Sequence, residues 1–282
     1  LRVQTESSMQ LPVKVYSEAF FGDMSSRENL GYGLFFGFML LLALFAGLVA
    51  LWLRDRSYVL FVAYLASFVV VQALLSGVWF QWVMPNQPEL VNRLLMVSLL
   101  FGFYACLLLV ESFLDLAQHH PRTSKVVRVF QGVALIMLVA SLWLSYSITA
   151  RIVAALALVF VSLMFSGGVI SLKRGYKPAR YFLLAWVMFI IGVFIFSFRT
   201  LGILPANFFT INAVLLGALF QVIFLAVALG NKVLLIQAER DSATKAMLES
   251  YELLDVELHR REELQGQNDS LQEEMDYATE QL

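Results

Sequence analysis

"RDRSYVLFVAYLASFVVVQALLSGVWFQWV" occupies Arg54–Val83. Its first three residues, Arg54, Asp55 and Arg56, are charged, and the rest of the stretch carries no Lys, Arg, Asp or Glu. A helix needs about 20 apolar residues to cross a hydrocarbon core about 30 Å thick. The stretch therefore predicts a membrane-spanning helix with a charged cluster at one end.

The composition of the whole chain agrees with this prediction. Of 282 residues, 60% are hydrophobic and 15% are charged, whereas a soluble domain is about 45–50% apolar. This balance predicts a polytopic membrane protein in contact with the lipid bilayer, because a soluble protein would expose large apolar patches. The net charge of −1 comes with scattered basic residues, so no nucleic-acid partner is expected. A single cysteine, Cys106, allows no internal disulfide, and no metal site or cofactor is predicted.

Apolar runs of sufficient length predict seven spans in all. The weakest separation lies between the fourth and fifth runs, where "SYSITAR" is the only polar break. The approximate bounds are Gly31–Leu53, Tyr58–Val83, Leu90–Leu114, Val126–Tyr146, Arg151–Leu172, Ala179–Phe198 and Phe209–Leu235.

Basic residues in the short loops predict the orientation of the bundle, because cytoplasmic loops carry an excess of Lys and Arg. The N-terminus is therefore expected outside the cytoplasm and the C-terminus inside, with the Arg54–Arg56 cluster on the cytoplasmic side. The loops expected outside the cytoplasm hold few basic residues: Arg93, Arg151 and Arg199. The loops expected on the cytoplasmic side hold Arg54, Arg56, Arg122, Lys125, Arg128, Lys173, Arg174, Lys177 and Arg180.

The segment before the first span has a different pattern. Leu1–Thr5 and Leu11–Val15 alternate apolar and polar residues, and this period of two predicts strands. We interpret them as the last strands of an extracytoplasmic β domain; a free, partly ordered tail is the alternative. Because the chain begins at Leu1 and stops within a helical pattern, we expect a piece of a longer protein.

The region after Gly230 is polar but rich in helix formers. Its apolar residues recur at spacings of mostly four and three, which is typical of a coiled-coil seam. The spacing slips between Leu258 and Leu264. We predict one helix from about Phe209 into the cytoplasm and a parallel homodimer; a solvated helix that packs on nothing is the alternative. The seam residues are Met247, Tyr251, Leu254, Leu258, Leu264, Leu271 and Met275.

From about Leu30 to Gln237 the sequence resembles bacterial seven-transmembrane receptors with diverse intracellular signalling modules, the 7TMR-DISM family. The resemblance is carried by "GYGLFFGFMLLLALFAGLVALWLRDRSYVLFVAYLASF", "GVWFQWVMP", "KPARYFLLAWVMFIIGVFIFSFRTLGILP" and "LGALFQVIFLAVALGNKV". It implies a bacterial inner-membrane receptor with an extracytoplasmic β-sandwich sensor. It also implies an output enzyme after the last span, such as a histidine kinase or a diguanylate cyclase; neither a complete sensor nor an output domain is expected within this chain.

The predicted fold class is an all-α membrane protein with a short N-terminal β stub. Residues 1–29 are assigned to the end of the sensor domain, residues 30–237 to a seven-transmembrane bundle and residues 238–282 to a cytoplasmic coiled coil. No catalytic residues are predicted. His259 lacks the acidic residue and proline of a kinase phospho-acceptor motif, and Phe209–Asn231 contains no lysine that could hold retinal.

Six residues form a candidate outward-facing site for a small-molecule or periplasmic ligand, or for docking of the sensor domain. The alternative is structural: snorkelling arginines, interhelical hydrogen bonds and tryptophans anchored at the membrane interface. The charged residue inside a span, Glu111, also needs a partner. The six are Trp79, Trp82, Arg93, Arg199, Phe208 and Asn212.

The predicted function is a transmembrane signal relay. Binding outside changes the packing of the seven helices, and the last helix carries the change into the dimeric coiled coil. The alternatives are a transporter or channel with a cytoplasmic dimerisation tail and an intramembrane enzyme. Transport predicts helices broken at mid-membrane beside buried charges, and an intramembrane enzyme needs paired carboxylates or Ser and His at depth.

Overall fold

The structure, a computed structural model, describes residues 17–84, 87–119 and 121–280. These residues form ten helices and no strand, and the strands predicted at Leu1–Thr5 and Leu11–Val15 lie outside them. The helices are α1 (Glu18–Leu53), α2 (Arg56–Leu75), α3 (Val78–Trp82), α4 (Pro88–Phe113), α5 (Leu116–His119), α6 (Pro121–Ala140), α7 (Tyr146–Lys173), α8 (Ala179–Thr200), α9 (Phe208–Ile211) and α10 (Ala213–Glu280).

Seven of these helices are long and apolar enough to cross a membrane: α1, α2, α4, α6, α7, α8 and α10. The predicted all-α bundle of seven spans is therefore confirmed. Large apolar side chains such as Leu48, Leu51 and Trp52 stay exposed on the helix surfaces. In a membrane protein such side chains face lipid tails, which are as apolar as leucine.

Three of the span boundaries that differ from the sequence prediction lie at local turns. The second span ends at Leu75 rather than Val83, since Gly77 adopts a left-handed conformation with φ 77° and begins the short α3. The fourth ends at Ala140, before a turn that leads into α7. The seventh begins at Ala213, after the short α9, which starts at the capping box of Asn207 and Thr210 and ends at its C-cap, Asn212.

The charged cluster after the first span forms a tight connection between α1 and α2. Arg54 has φ 52°, a conformation that ends α1, and Asp55 caps α2 by accepting a hydrogen bond from the Ser57 backbone N–H at 2.6 Å. A side-chain cap of this kind satisfies one of the donors left free at a helix start. The cluster therefore reverses the chain between two spans within two residues.

Helix α4 packs against three other helices: α2, α6 and α7. Small residues allow close approach to α2: Ser67 Oγ donates to the Ser98 carbonyl at 3.1 Å and lies where a Cβ of Gly102 would be. On another face, Phe103 stacks on Phe160 of α7 with ring centroids 4.7 Å apart. Helices in lipid associate through such close packing and interhelical hydrogen bonds.

The chain divides into two compact units, Leu1–Gly230 and Asn231–Leu282. The first contains α1 to α9 and the start of α10. The second is formed by the remainder of α10, and all of its residues from 237 to 268 are exposed in the single chain.

Candidate functional site

A cavity of about 730 Å³ separates the start of α1 from α9 and the start of α10. Its walls are two helix faces with regular spacing. Helix α1 contributes Arg27, Gly31, Leu34 and Phe38, and the facing wall contributes Asn212, Leu215, Leu216 and Leu219. Residues three and four apart lie on one side of a helix, so both walls are continuous stripes. The volume is in the range of about 300–1,000 Å³ that is usual for small-molecule sites.

The polar groups of the cavity lie near the start of both walls. Arg27, Glu28 and Tyr32 come from α1, and Asn212 comes from the junction of α9 and α10. The Asn212 side-chain amide donates to the Phe208 carbonyl at 3.0 Å, which fixes the side chain against α9. The deeper lining residues are apolar, so the cavity is polar at one end and apolar along its length.

Two of the six predicted site residues, Phe208 and Asn212, line this cavity. Phe208 packs edge-to-face on Phe209 with ring centroids 5.6 Å apart, and most of its side chain is exposed. The structure thus brings these two residues together with a wall of α1 that the sequence analysis did not include.

The other four predicted site residues lie away from the cavity lining. Trp79 on α3 packs against an apolar cluster of α2, α4 and α7, and Trp82 is 78% exposed. Arg93 is exposed near the start of α4, and the Arg199 guanidinium lies 5.9 Å from the ring centroid of Phe196 on α8.

The contribution of α1 was not predicted, because residues 1–29 were assigned to a β domain and the first span was expected to begin at Gly31. The structure continues this helix back to Glu18. A signal was present in the sequence: Met24, Arg27, Gly31 and Leu34 follow the helical spacing of the apolar span.

Helix α10 contacts α8 through glycines. A Cβ added to Gly192 would lie 3.1 Å from the Gly217 Cα, and one added to Gly217 would lie 3.0 Å from the Met188 carbonyl oxygen. The two backbones therefore touch directly, as small residues permit in membrane helix pairs. Any side chain at either position requires the helices to move apart.

A buried polar contact joins α10 to α2. The Tyr64 hydroxyl donates to Gln221 Oε1 at 3.3 Å, and both side chains are buried. The Nε2 of Gln221 has no hydrogen-bond partner among the described residues. An unsatisfied buried amide weakens the packing around it, so this contact is less secure than a fully satisfied one.

Glu111 on α4 has a complete set of partners on α6. Its carboxylate accepts from Ser124 Oγ at 2.9 Å, from Arg128 Nε at 2.6 Å and from Gln131 Nε2 at 2.8 Å. The arrangement joins two helices and leaves no open side for a substrate among these partners. Glu111 thus contributes to interhelical bonding.

The predicted seam residues all lie on α10. In the single chain, Met247, Tyr251, Leu254, Leu258, Leu264 and Met275 have exposures between 51% and 69%. These apolar side chains are therefore largely exposed in the single chain. Among the described residues, no group of three or more His, Cys, Asp or Glu side chains is placed to hold a metal ion.

Comparison with known proteins gives one match. A family profile described as 7TM diverse intracellular signalling matches residues 28–232, which cover five of the spans completely, most of the first span and the start of the seventh. No curated protein matches the chain, and neither does any solved structure.

Proposed function

The chain belongs to the 7TM diverse intracellular signalling family, whose members are seven-helix membrane receptors, and from this premise we propose that α10 carries a signal from the cavity to a cytoplasmic output domain. The ligand binds at the end of the bundle where α1 begins. Binding changes how α10 packs against α8 and α2. The region after Gly230 then transmits the change.

The observation that carries this proposal is the extent of α10. One helix, Ala213–Glu280, supplies a wall of the cavity, the glycine contact with α8 and the hydrogen bond with α2, and it includes all seven predicted seam residues. A ligand can shift such a helix only if it binds one packing arrangement better than the other. The incomplete hydrogen bonding of Gln221 favours two arrangements of similar energy.

The proposal includes a homodimer formed by residues 238–282. Exposed seam residues such as Leu254 and Leu258 support it, because a helix with unpartnered apolar positions gains stability by pairing. Val256 lies off the seam and is similarly exposed, at 67% against 56% for Leu254. In a Cys106→Ala background, Leu254→Cys should therefore cross-link in membranes far more readily than Val256→Cys. Equal cross-linking of the two variants would contradict a specific seam.

The proposed setting is a bacterial inner membrane, with the N-terminus outside and the C-terminus in the cytoplasm. The charged loops support this orientation. The residues before α1, which begins at Glu18, are proposed to end a β-sandwich sensor domain, and the output domain is proposed to be a histidine kinase or a diguanylate cyclase. No cofactor is required for the relay itself.

The relay is tested by insertions after Leu248 in the receptor that carries its output domain. One residue rotates the following helix by about 100°, since a helix has 3.6 residues per turn. We expect insertions of one to four residues to change the output activity of the receptor by different amounts. Insertion of seven residues is the matched control, because a full heptad preserves the seam. An identical response to every insertion would exclude the relay.

A further inference from the structure

We propose that the cavity between α1 and α10 binds a single-chain amphiphile with a zwitterionic head that carries a phosphate and an ammonium group. The proposal rests on the function proposed above and names its ligand class. Three features of the cavity lead to it: the charges at its start, the apolar length of its walls and the space beside Gly31.

The charges at the start of the cavity are of opposite sign. Arg27 and Glu28 are consecutive residues of α1, and both line the cavity. A guanidinium is well suited to bind phosphate through paired hydrogen bonds, and a carboxylate attracts an ammonium group. A head with both charges can satisfy both residues, whereas a purely anionic head would lie beside the Glu28 carboxylate without a counter-charge.

Neutral polar groups complete the same end of the cavity. Tyr32 lies one helical turn after Glu28, and Asn212 stands on the opposite wall. The Asn212 side-chain oxygen remains an acceptor while its amide is held by Phe208. These groups can hydrogen-bond the head without adding charge.

The deeper part of the cavity is apolar. Leu34 and Phe38 face Leu215 and Leu219, and no charged residue lines this part. Burial of an apolar chain favours binding in proportion to the area removed from water, so the chain of the ligand supplies affinity and its polar head sets its orientation. An amphiphile therefore matches both ends of the cavity.

Gly31 allows the cavity to be filled by substitution. A Cβ at Gly31 would meet no heavy atom within 4 Å, and the same holds for Gly33, which does not line the cavity. Residues two apart face different sides of a helix. Gly31→Phe should therefore fill the cavity, and Gly33→Phe is its matched control on the same helix.

The test measures binding of radiolabelled lauroyl-lysophosphatidylethanolamine to the chain in phosphatidylglycerol nanodiscs. We expect saturable binding that Gly31→Phe weakens at least tenfold and Gly33→Phe leaves unchanged. If Gly31→Phe does not fold, judged by helicity and gel filtration, Leu34→Trp fills the cavity instead. Non-saturable uptake, or equal binding by the filled and control variants, would overturn the proposal.

Head recognition and the number of chains are tested in the same nanodiscs. Glu28→Gln should weaken binding of the lysophosphatidylethanolamine but not of the anionic lauroyl-lysophosphatidylglycerol, whereas Arg27→Gln should weaken binding of both. If dodecanol displaces the labelled lysophosphatidylethanolamine as well as unlabelled lysophosphatidylethanolamine does, the proposed role of the head is wrong. Diacyl phosphatidylethanolamine in the disc should not compete, because it carries two chains; competition equal to that of the unlabelled lysophosphatidylethanolamine would overturn the choice of a single-chain ligand. Failure of binding leaves the insertion series unaffected, so the relay can be judged separately.

Discussion

Helices α4 and α10 both cross the membrane, yet they are packed differently. Helix α4 is surrounded by α2, α6 and α7, and its Glu111 has three side-chain partners. The membrane part of α10 borders a cavity, touches α8 through glycines and carries an unsatisfied amide on Gln221. The difference teaches that one span is enclosed by its neighbours, while the other joins a tightly buried face, with Val222 and Leu225, to a cavity-lining face on which a bound ligand can act.

The largest effect is expected where α10 is held most closely. Gly192→Leu would force the backbones of α8 and α10 apart, and overpacking of this kind costs typically about 1–3 kcal/mol. The expected result is a marked fall in the thermal unfolding temperature of the protein in detergent. Gly37→Leu is the control, because a Cβ at Gly37 meets no atom within 4 Å. Equal unfolding temperatures for the two variants would show that the glycine contact does not hold α8 and α10 together.

The hydrogen bonds between α4 and α6 are tested next by Glu111→Ala. The change removes the acceptor of the Ser124 hydroxyl and one of the two acceptors of the buried Gln131 amide, which keeps the Leu107 carbonyl at 3.3 Å, at a cost of about 1–3 kcal/mol. The exposed Arg128 adds little, since surface ion pairs contribute about 0–1 kcal/mol. Chemical denaturation measures the loss of stability. Glu89→Ala, at an exposed position of the same helix, should change it by less than about 0.5 kcal/mol.

A smaller effect is expected at the contact between α2 and α10. Tyr64→Phe removes the hydroxyl that donates a hydrogen bond to Gln221. The expected loss of stability is about 0.6 kcal/mol, the average for interhelical hydrogen bonds in membranes. Gln221→Leu leaves the Tyr64 hydroxyl unpaired. The double variant removes both groups and should be more stable than the sum of the two single changes predicts. Strict additivity in a double-mutant cycle would show that the two side chains do not interact.

The smallest effect on stability is expected at Trp82. Its side chain is 78% exposed and lies outside the cavity lining, so Trp82→Ala should change stability by less than about 0.5 kcal/mol. It should also leave binding of the lysophosphatidylethanolamine unchanged. Phe208→Ala is its counterpart within the cavity lining and should weaken that binding. The opposite order would move the binding site towards α3.

The sequence was sufficient to predict the seven spans because each must satisfy the same requirement for an apolar length. Their ends were less predictable, since they depend on local turns such as the left-handed Gly77 and the Asn207 capping box. A run of apolar letters continues through both turns. Hydropathy therefore located the helices better than it located their boundaries.

The candidate site was predicted only in part, for a geometric reason. Phe208 and Asn212 were identified because they are polar or aromatic near a span end. Their neighbours Arg27 and Glu28 depend on the side of α1 that faces α10, and this rotation about the helix axis is not encoded by hydropathy. The contact of Gly192 with Gly217 has the same origin, because pairing of two glycines depends on how two distant spans are aligned.

The two-residue connection at Arg54 and Asp55 restricts what α1 can do. Its last turn is tied to the capped start of α2, so sliding α1 along its axis would pull apart that cap. Pivoting of α1 about its Leu53 end leaves the cap intact. Among the cavity-lining residues of α1, it displaces Met24 and Arg27 most, because they lie farthest from Leu53. The width of the cavity then depends on the angle between α1 and α2, which are held together at the Arg54–Asp55 connection, at the other end of α1.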